Sequence, residues 1–374
     1  MSLDSSSRIK VRDKLRWNDT LCSKEWTTME KIRLGRTNLM VSRIGFGGIP
    51  IQRLTEDEAV AVVKKCLDLG ITYLDTANAY TTSERRIGKA IAGRRQELII
   101  ATKSGARTKE GVEQHLANSL KQLGTDYIDL YQFHGVNDTK NLEMVLNPNG
   151  PIAVVQKAMK DGIVKHVGVT SHSMDAAKEA VKTDRFETIM FPFNFVTSEP
   201  ATDLLPLCRE RDVALIAMKP LAGGMLDNVP VAFKYLLQFP DVVPLVGIEK
   251  TWEIEEIVGL LDKPWKPTKR EQSQMQKMRD ELGSKFCRRC DYCQPCTANI
   301  VISTVMNMPS FAKRMPPERI FSGMLADAMQ KAYDCTDCGD CEERCPFKLP
   351  IRGIIKERLD WFSKAKAEYL SKKA

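Results

Sequence analysis

The sequence predicts an α/β fold: a (β/α)8 TIM barrel followed by a small, mostly helical C-terminal domain. Three observations predict it. Short apolar runs alternate with amphipathic segments eight times between Ile44 and Leu261, the rhythm of a parallel sheet covered by helices. Eight of the eleven cysteines crowd between Cys287 and Cys345, outside that rhythm. The length of 374 residues exceeds one barrel and leaves room for a second unit.

Residues 1–28 are polar, carry Trp17 and Trp26 and show no clear period, so they are expected to form an N-terminal extension ahead of a barrel at 29–265. Between Ile32 and Ile44 the apolar residues are interrupted by Gly35 to Asn38, which predicts a β-hairpin. The barrel strands are expected at Ile44–Gly47, Ile71–Asp75, Leu98–Lys103, Tyr127–Phe133, His166–Val169, Thr188–Phe193, Ala214–Lys219 and Val243–Ile248. The first helix opens with the capping box Thr55-Glu-Asp-Glu58 and ends at Gly70. Further helical patterns cover Ser83–Ala92, Lys109–Leu123, Ile152–Asp161, Met174–Lys182, Asp203–Arg211, Val229–Gln238 and Trp252–Leu261.

Pro264 and Pro267 break the last barrel helix, and Thr268 to Glu271 opens a new one as a second capping box. That places the second domain at 266–374. Met275, Met278 and Leu282 recur at helical spacing as a packing stripe, and Met324–Tyr333 reads as another helix. Composition narrows the function classes. A 43% hydrophobic content supports a large core, and no run of about 18 apolar residues marks a membrane span. The formal charge of +8 is spread out; after Pro350 seven Lys or Arg face three acids, a solvated helix face or a docking surface for an acidic redox partner rather than a nucleic-acid site. With no apolar run in residues 1–28 to serve as a secretory signal, a cytoplasmic location is expected.

The cysteines form two runs, Cys287-x2-Cys290-x2-Cys293-x2-Cys296 and Cys335-x2-Cys338-x2-Cys341-x3-Cys345-Pro346. A thiolate every third residue wraps a loop around a compact inorganic core, and a fourth thiolate followed by proline is the spacing of bacterial iron–sulfur ligation. Zinc in a four-thiolate site is an alternative, but it rarely needs three equally spaced thiolates and then a fourth. Disulfides would suit an extracellular chain. The favoured reading is two 4Fe-4S clusters, with the fourth cysteine of each run serving the other cluster. One cluster would then take Cys287, Cys290, Cys293 and Cys345, the other Cys335, Cys338, Cys341 and Cys296. The first run departs from the pattern, with two residues before Cys296 and Thr297 in place of proline.

Enzymes on a closed barrel build their sites from the loops after the carboxyl ends of the strands. Asp75, Lys103 and His134 lie at three consecutive strand ends and Tyr80 in the loop after the second. A tyrosine has an ordinary pKa near 10. An ammonium lowers it, and a carboxylate holds the ammonium in place. Tyr80, Lys103 and Asp75, with His134 as a second hydrogen-bond donor, suit proton donation to a carbonyl oxygen.

The segments Gly70 to Tyr80, Ser83-Glu84, Ile87-Gly88, Ala101-Thr-Lys103 and Leu123 to His134 resemble the aldo-keto reductases, over about Met29 to Leu261. With the cysteine runs added, the chain resembles the iron–sulfur branch of that family. The resemblance implies that Asp75, Tyr80, Lys103 and His134 form a catalytic tetrad. It also implies that Thr170 and Ser171 meet a nicotinamide carboxamide, that Lys219 and Gly223 approach a pyrophosphate, and that Gly247 and Lys250 face an adenosine end. Three departures leave NAD(P)H use open: Met218 replaces a stacking aromatic, Met190 a glutamine and Glu253 a basic residue.

Hydride carries two electrons together, whereas a cluster passes them singly. The leading expectation is therefore an oxidoreductase acting on a small carbonyl or alcohol. Electrons would pass through the clusters to or from a partner, a ferredoxin or a flavoprotein whose flavin converts between the two regimes. The competing expectation is an electron-transfer subunit whose barrel is only a docking scaffold.

Overall fold

In the computed structural model the described residues are 29–262, 265–283 and 285–373. The expectations for residues 1–28 and for Pro264 lie outside them. Strands β1 (Lys31–Arg33) and β2 (Met40–Ser42) pair antiparallel with Ile32 opposite Val41, joined by a turn in which Asn38 takes the left-handed conformation. This hairpin closes the amino end of the barrel. Leu34 and Val41 are fully buried and pack with Tyr73, Leu130 and Ile216 of the barrel interior. The Arg36 amide donates to Asp212 O at 2.8 Å, just before the strand that starts at Ala214.

Eight parallel strands close the barrel: β3 (Gly45–Gly47), β4 (Tyr73–Asp75), β5 (Ile99–Ser104), β6 (Ile128–Phe133), β7 (Val164–Thr170), β8 (Thr188–Pro192), β9 (Ala214–Met218) and β10 (Val242–Gly247). Each strand neighbours the next in sequence, and β10 pairs with β3 to seal the ring. The capping box forms as expected, with Thr55 Oγ1 accepting from the Glu58 amide and Glu58 accepting from the Thr55 amide at 2.9 Å.

Two differences from the sequence pattern have clear causes. A helix at Thr139–Leu146 follows β6, unexpected because only Leu142 and Val145 on it are buried; its start is set by Asp138, which accepts from the Asn141 amide at 2.7 Å. The helix expected over Asp203–Arg211 is split into Pro200–Asp203 and Leu205–Glu210. Pro206 has no amide hydrogen to continue a helical ladder through Leu204.

Beyond the barrel a second core gathers around Ile300, Val305, Met308, Met329, Leu349 and Ile354. It is enclosed by helices including Ile302–Met306, Met308–Ala312, Gly323–Lys331 and the long Ile351–Ser371. The helix Lys269–Gly283 bridges the two cores. Its Met275 is buried, and Met275, Met278 and Leu282 pack with Phe195, Val196 and Leu226 of the barrel loops. No described helix is long and apolar enough to cross a membrane.

Gly88 shows how tightly the outer helices sit. A Cβ there would lie 2.6 Å from Gln122 O and 2.7 Å from Leu123 O, backbone atoms at the end of the helix Lys109–Leu123 that cannot swing aside. Gly88→Ala is expected to overpack this crossing and to lower the thermal midpoint by about 5 °C in calorimetry.

Candidate active site and metal centres

Strand register assembles the polar cluster at the carboxyl end of the barrel. Asp75 is the last residue of β4 and pairs with Ala101 of β5, so Lys103 lies two residues further along the same face. Lys103 in turn pairs with Gln132 of β6. Lys103 Nζ donates to Asp75 Oδ1 at 2.5 Å and to Thr76 O at 2.6 Å, while Gln132 Nε2 donates to Asp75 Oδ2 at 2.9 Å. Both charged side chains are 2% exposed. Burial disfavours the ammonium, but Asp75 and then Tyr80 outweigh it, and Lys103 is held above its ordinary value. Burial also raises the Asp75 carboxyl, against the pull of Lys103 and Gln132.

The loop after β4 turns at Ala77, whose carbonyl accepts from the Tyr80 amide at 2.9 Å. The Lys103 ammonium lies 4.9 Å from the centre of the Tyr80 ring. The ring of His134, one residue past β6, stands edge-on to Tyr80 at 5.8 Å. Desolvation, then Lys103, Arg289 and Arg107, push His134 down to about 3, so its imidazole is neutral at physiological pH. The four residues singled out in the sequence are thus brought together.

Two further cations reach this mouth without any signal in the barrel sequence. Arg289 belongs to the loop between Cys287 and Cys290, and Arg314 follows the helix Met308–Ala312. Lys219, with a left-handed backbone after β9, is pushed well below its ordinary value by burial and by these two arginines. His172, beyond β7, is lowered in the same way, by burial and then by Lys219 and Arg289, and its Nε2 is buried without a hydrogen-bond partner. His166 and His115 serve local packing, paired with Glu187 and Ser104 at 2.8 Å each.

The cysteine domain fastens to the carboxyl side of the barrel at several loops. Arg319 donates to Ala79 O at 3.2 Å, Tyr292 to Asp175 at 2.5 Å, Arg279 to Phe195 O at 2.6 Å, Arg288 to Val196 O at 3.0 Å and Ser310 to Gly223 O at 3.4 Å. Arg53, after β3, pairs with Glu249 and donates to Lys313 O.

The eight cysteines line two cavities in fours. Cys287, Cys290, Cys293 and Cys345 line one. Cys296, Cys335, Cys338 and Cys341 line the other. Ile302 lines both, so the two lie side by side. All eight thiols are free. A set of four thiols lining each cavity fits a cubane cluster. Cys66 and Cys208 are buried helix thiols raised by desolvation, Cys208 to about 12.

The residues expected to hold a dinucleotide also sit at the carboxyl end, but much of their hydrogen bonding is already used. Thr170 Oγ1 accepts from the Gly135 amide at 2.9 Å, and Ser171 Oγ bonds to Ser173 O at 3.2 Å, both side chains being almost wholly buried. The loop from Lys219 to Gly224 is covered by Ser310, Lys313 and Arg314. Glu253 accepts from the amides of Glu249 and Lys250 at 2.8 and 3.0 Å, capping the helix Thr251–Val258. Gly247 faces Pro50, whose Cγ would lie 2.6 Å from a Cβ. Gly224, Gly247 and Lys250 themselves are exposed.

A closed parallel barrel with a polar cluster at its carboxyl mouth, joined to a domain with two four-cysteine cavities, defines an iron–sulfur oxidoreductase of the barrel type. The chain belongs to the aldo/keto reductase family: residues 43–231 match the family model, and residues 286–350 match a 4Fe-4S dicluster domain. It is 31% identical over 217 residues to the uncharacterized oxidoreductase YqkF of Bacillus subtilis, covering 54% of this chain and 68% of that one. It is 32% identical over 222 residues to L-galactose dehydrogenase of Arabidopsis thaliana, with the same coverage. The aldo-keto reductase AKR11C1 from Bacillus halodurans superposes with a TM-score of 0.59 at 26% identity, over 67% of this chain and 96% of that one.

Cys296→Ser is expected to remove one cluster and spare the other, halving iron and sulfide to about four of each per chain by chemical analysis. Loss of both, or of neither, contradicts the crossed assignment. The depressed His134 predicts that the folded chain binds fewer protons than the unfolded one below about pH 6.5. Its contribution therefore favours folding less and less as pH falls from 6.5 toward 3. The 15N-imidazole signal that vanishes in His134→Gln should keep the shift of a neutral ring from pH 8 down to about 5.

Proposed function

We propose that the barrel mouth reduces a carbonyl, or oxidises an alcohol, in exchange with single electrons that enter or leave through the cysteine domain. The observation that carries this reading is the position of Arg289. The loop that presents Cys287 and Cys290 also delivers a side chain close enough to His134 and Lys219 to lower both. Two 4Fe-4S clusters held by the eight cysteines would supply electrons one at a time, two in all for a carbonyl.

Tyr80 is the proton donor in this reading. The Lys103 ammonium beside its ring stabilises a phenolate, and Asp75, Thr76 O and Gln132 keep that ammonium in place. Neutral His134 can offer a ring N–H to the same substrate oxygen without adding charge. Cys338 is exposed to solvent on the far cysteine set, the natural entry for a one-electron partner such as a ferredoxin or flavoprotein, while the Cys287 set adjoins the mouth. A nicotinamide-dependent reductase is the second reading, favoured by Thr170 and Ser171 at the end of β7.

Tyr80→Phe should lower turnover by about 10²–10⁴-fold while leaving cluster absorbance and iron content unchanged. Turnover equal to wild type would instead favour the barrel as a docking scaffold in an electron-transfer complex. Anaerobic titration with reduced ferredoxin, NADH and NADPH, read at the cluster absorbance, separates the two electron sources: the proposed reading expects a response to ferredoxin and none to either nucleotide.

A further inference from the structure

The mouth is lined by more positive charge than proton donation to a neutral carbonyl requires. Arg289 and Arg314 share one aromatic wall, with their guanidinium carbons 5.0 and 5.8 Å from the centre of the Phe311 ring. Arg314 also lies against the loop after β9: a side chain at Gly223 would begin 3.6 Å from its guanidinium carbon. Across the same space stand Lys103, 4.9 Å from the Tyr80 ring, and His134, 5.8 Å from it.

Arg289 has the carboxylate of Asp291 nearby in its own loop, but Arg314 has no acid of this kind. Among the described residues no carboxylate comes within 4.0 Å of Arg289, Arg314 or Lys219, whereas Lys103 has Asp75. Arg314 donates only to the carbonyl and hydroxyl of Ser310, at 2.9 and 3.1 Å. The Nε of Arg289 is buried without a hydrogen-bond partner. Arg289 sits in a cysteine loop and can help offset thiolate charge. Arg314 lies in a segment free of cysteine, and its charge calls for another anion. Buried guanidinium is costly unless paired, and a carboxylate is the group whose geometry matches its planar fork.

We infer that the substrate is itself an anion, an oxo acid whose carboxylate is held by Arg289 and Arg314 while its carbonyl faces Tyr80. This rests on the carbonyl reading of the mouth and adds the substrate class to it. The two arginines come from the cysteine domain, so the domain would form one wall of the substrate pocket.

The test is a binding measurement that needs no turnover. Benzoylformate and its methyl ester differ in charge and little else, and both are titrated calorimetrically into the anaerobic, cluster-loaded full chain. The acid is expected to bind at least about tenfold more tightly than the ester. Arg314→Ala should erase that difference and Arg314→Lys should restore part of it. Ser310→Ala, which removes a hydrogen-bond partner of Arg314 but no charge, should leave acid binding as in wild type. Equal binding of acid and ester, undetectable binding of the acid, or a loss in Ser310→Ala matching that in Arg314→Ala overturns the inference. So does an Arg314→Ala protein that loses NADPH affinity while keeping that for benzoylformate, because the cations would then serve a dinucleotide. Repeating the titration on Tyr80→Phe separates the failures: discrimination that persists where the turnover test has gone against Tyr80 keeps the pocket and removes only the proton donor.

Discussion

The buried pair of Lys103 and Asp75 is the constraint on which the site depends. Two charges withdrawn from water are costly, and their attraction offsets that cost only when geometry is tight and every remaining lone pair and proton is used. Here three strands supply the partners, with Thr76 O taking a second ammonium proton and Gln132 filling the second carboxylate oxygen. The pairing follows from register, because Asp75 is opposite Ala101 and Lys103 is opposite Gln132. A slip of one residue would turn these side chains to the other face. The barrel therefore holds a lysine whose charge is fixed in position, and the Tyr80 ring is set beside it.

The second constraint is competition for one face. A barrel offers its carboxyl loops to substrate, and here the cysteine domain is bonded to loops after β3, β4, β8 and β9 and to the helix after β7. Those contacts cover the loop Lys219 to Gly224 and leave the Tyr80 side beside Arg289 and Arg314. The same bonds that order the cysteine domain thus cover the loop that the family resemblance assigns to a pyrophosphate. Under the proposed reading an electron route takes the role of a dinucleotide, running from exposed Cys338 past the shared Ile302 to Cys287 at the mouth.

Much of this was legible in the sequence because it depends on local spacing. Short apolar runs alternating with amphipathic segments locate eight strands, and residues at strand ends must converge once the ring closes, which is why Asp75, Lys103 and His134 could be named together. The crossed grouping of cysteines came from the two-cluster ferredoxin pattern, and Cys296, despite its short spacing, lines a cavity with Cys335, Cys338 and Cys341. What escaped was set by tertiary contact. The helix Thr139–Leu146 buries too little to show a period, and Pro206 splits a helix whose apolar pattern runs on. Arg289 and Arg314 look like solvated surface charges until the second domain folds over the barrel. Gln132 reads as one polar residue in an apolar strand, and only β5–β6 register gives it a partner.

The charge in the mouth also bears on how electrons could arrive. Hydride transfer delivers both electrons and the hydrogen bound for carbon in one step, and the oxygen then needs one proton. Electrons that come singly separate these events: under the proposed reading two electrons are joined by two protons, one at oxygen and one at carbon, and the substrate carries added negative charge before they complete the reaction. In a medium of low dielectric such a charge is costly unless cations stand ready. Lys103, Arg289 and Arg314 are preorganised there, while His134 and Lys219 are held toward their neutral forms and can donate hydrogen bonds. An oxo acid deepens the need, since its carboxylate adds a permanent negative charge beside the one being formed. Under that proposal Asp75 is already bound to Lys103 and Asp291 lies near Arg289, and the charge that remains on Arg314 suits an anionic substrate that becomes more negative before it is protonated.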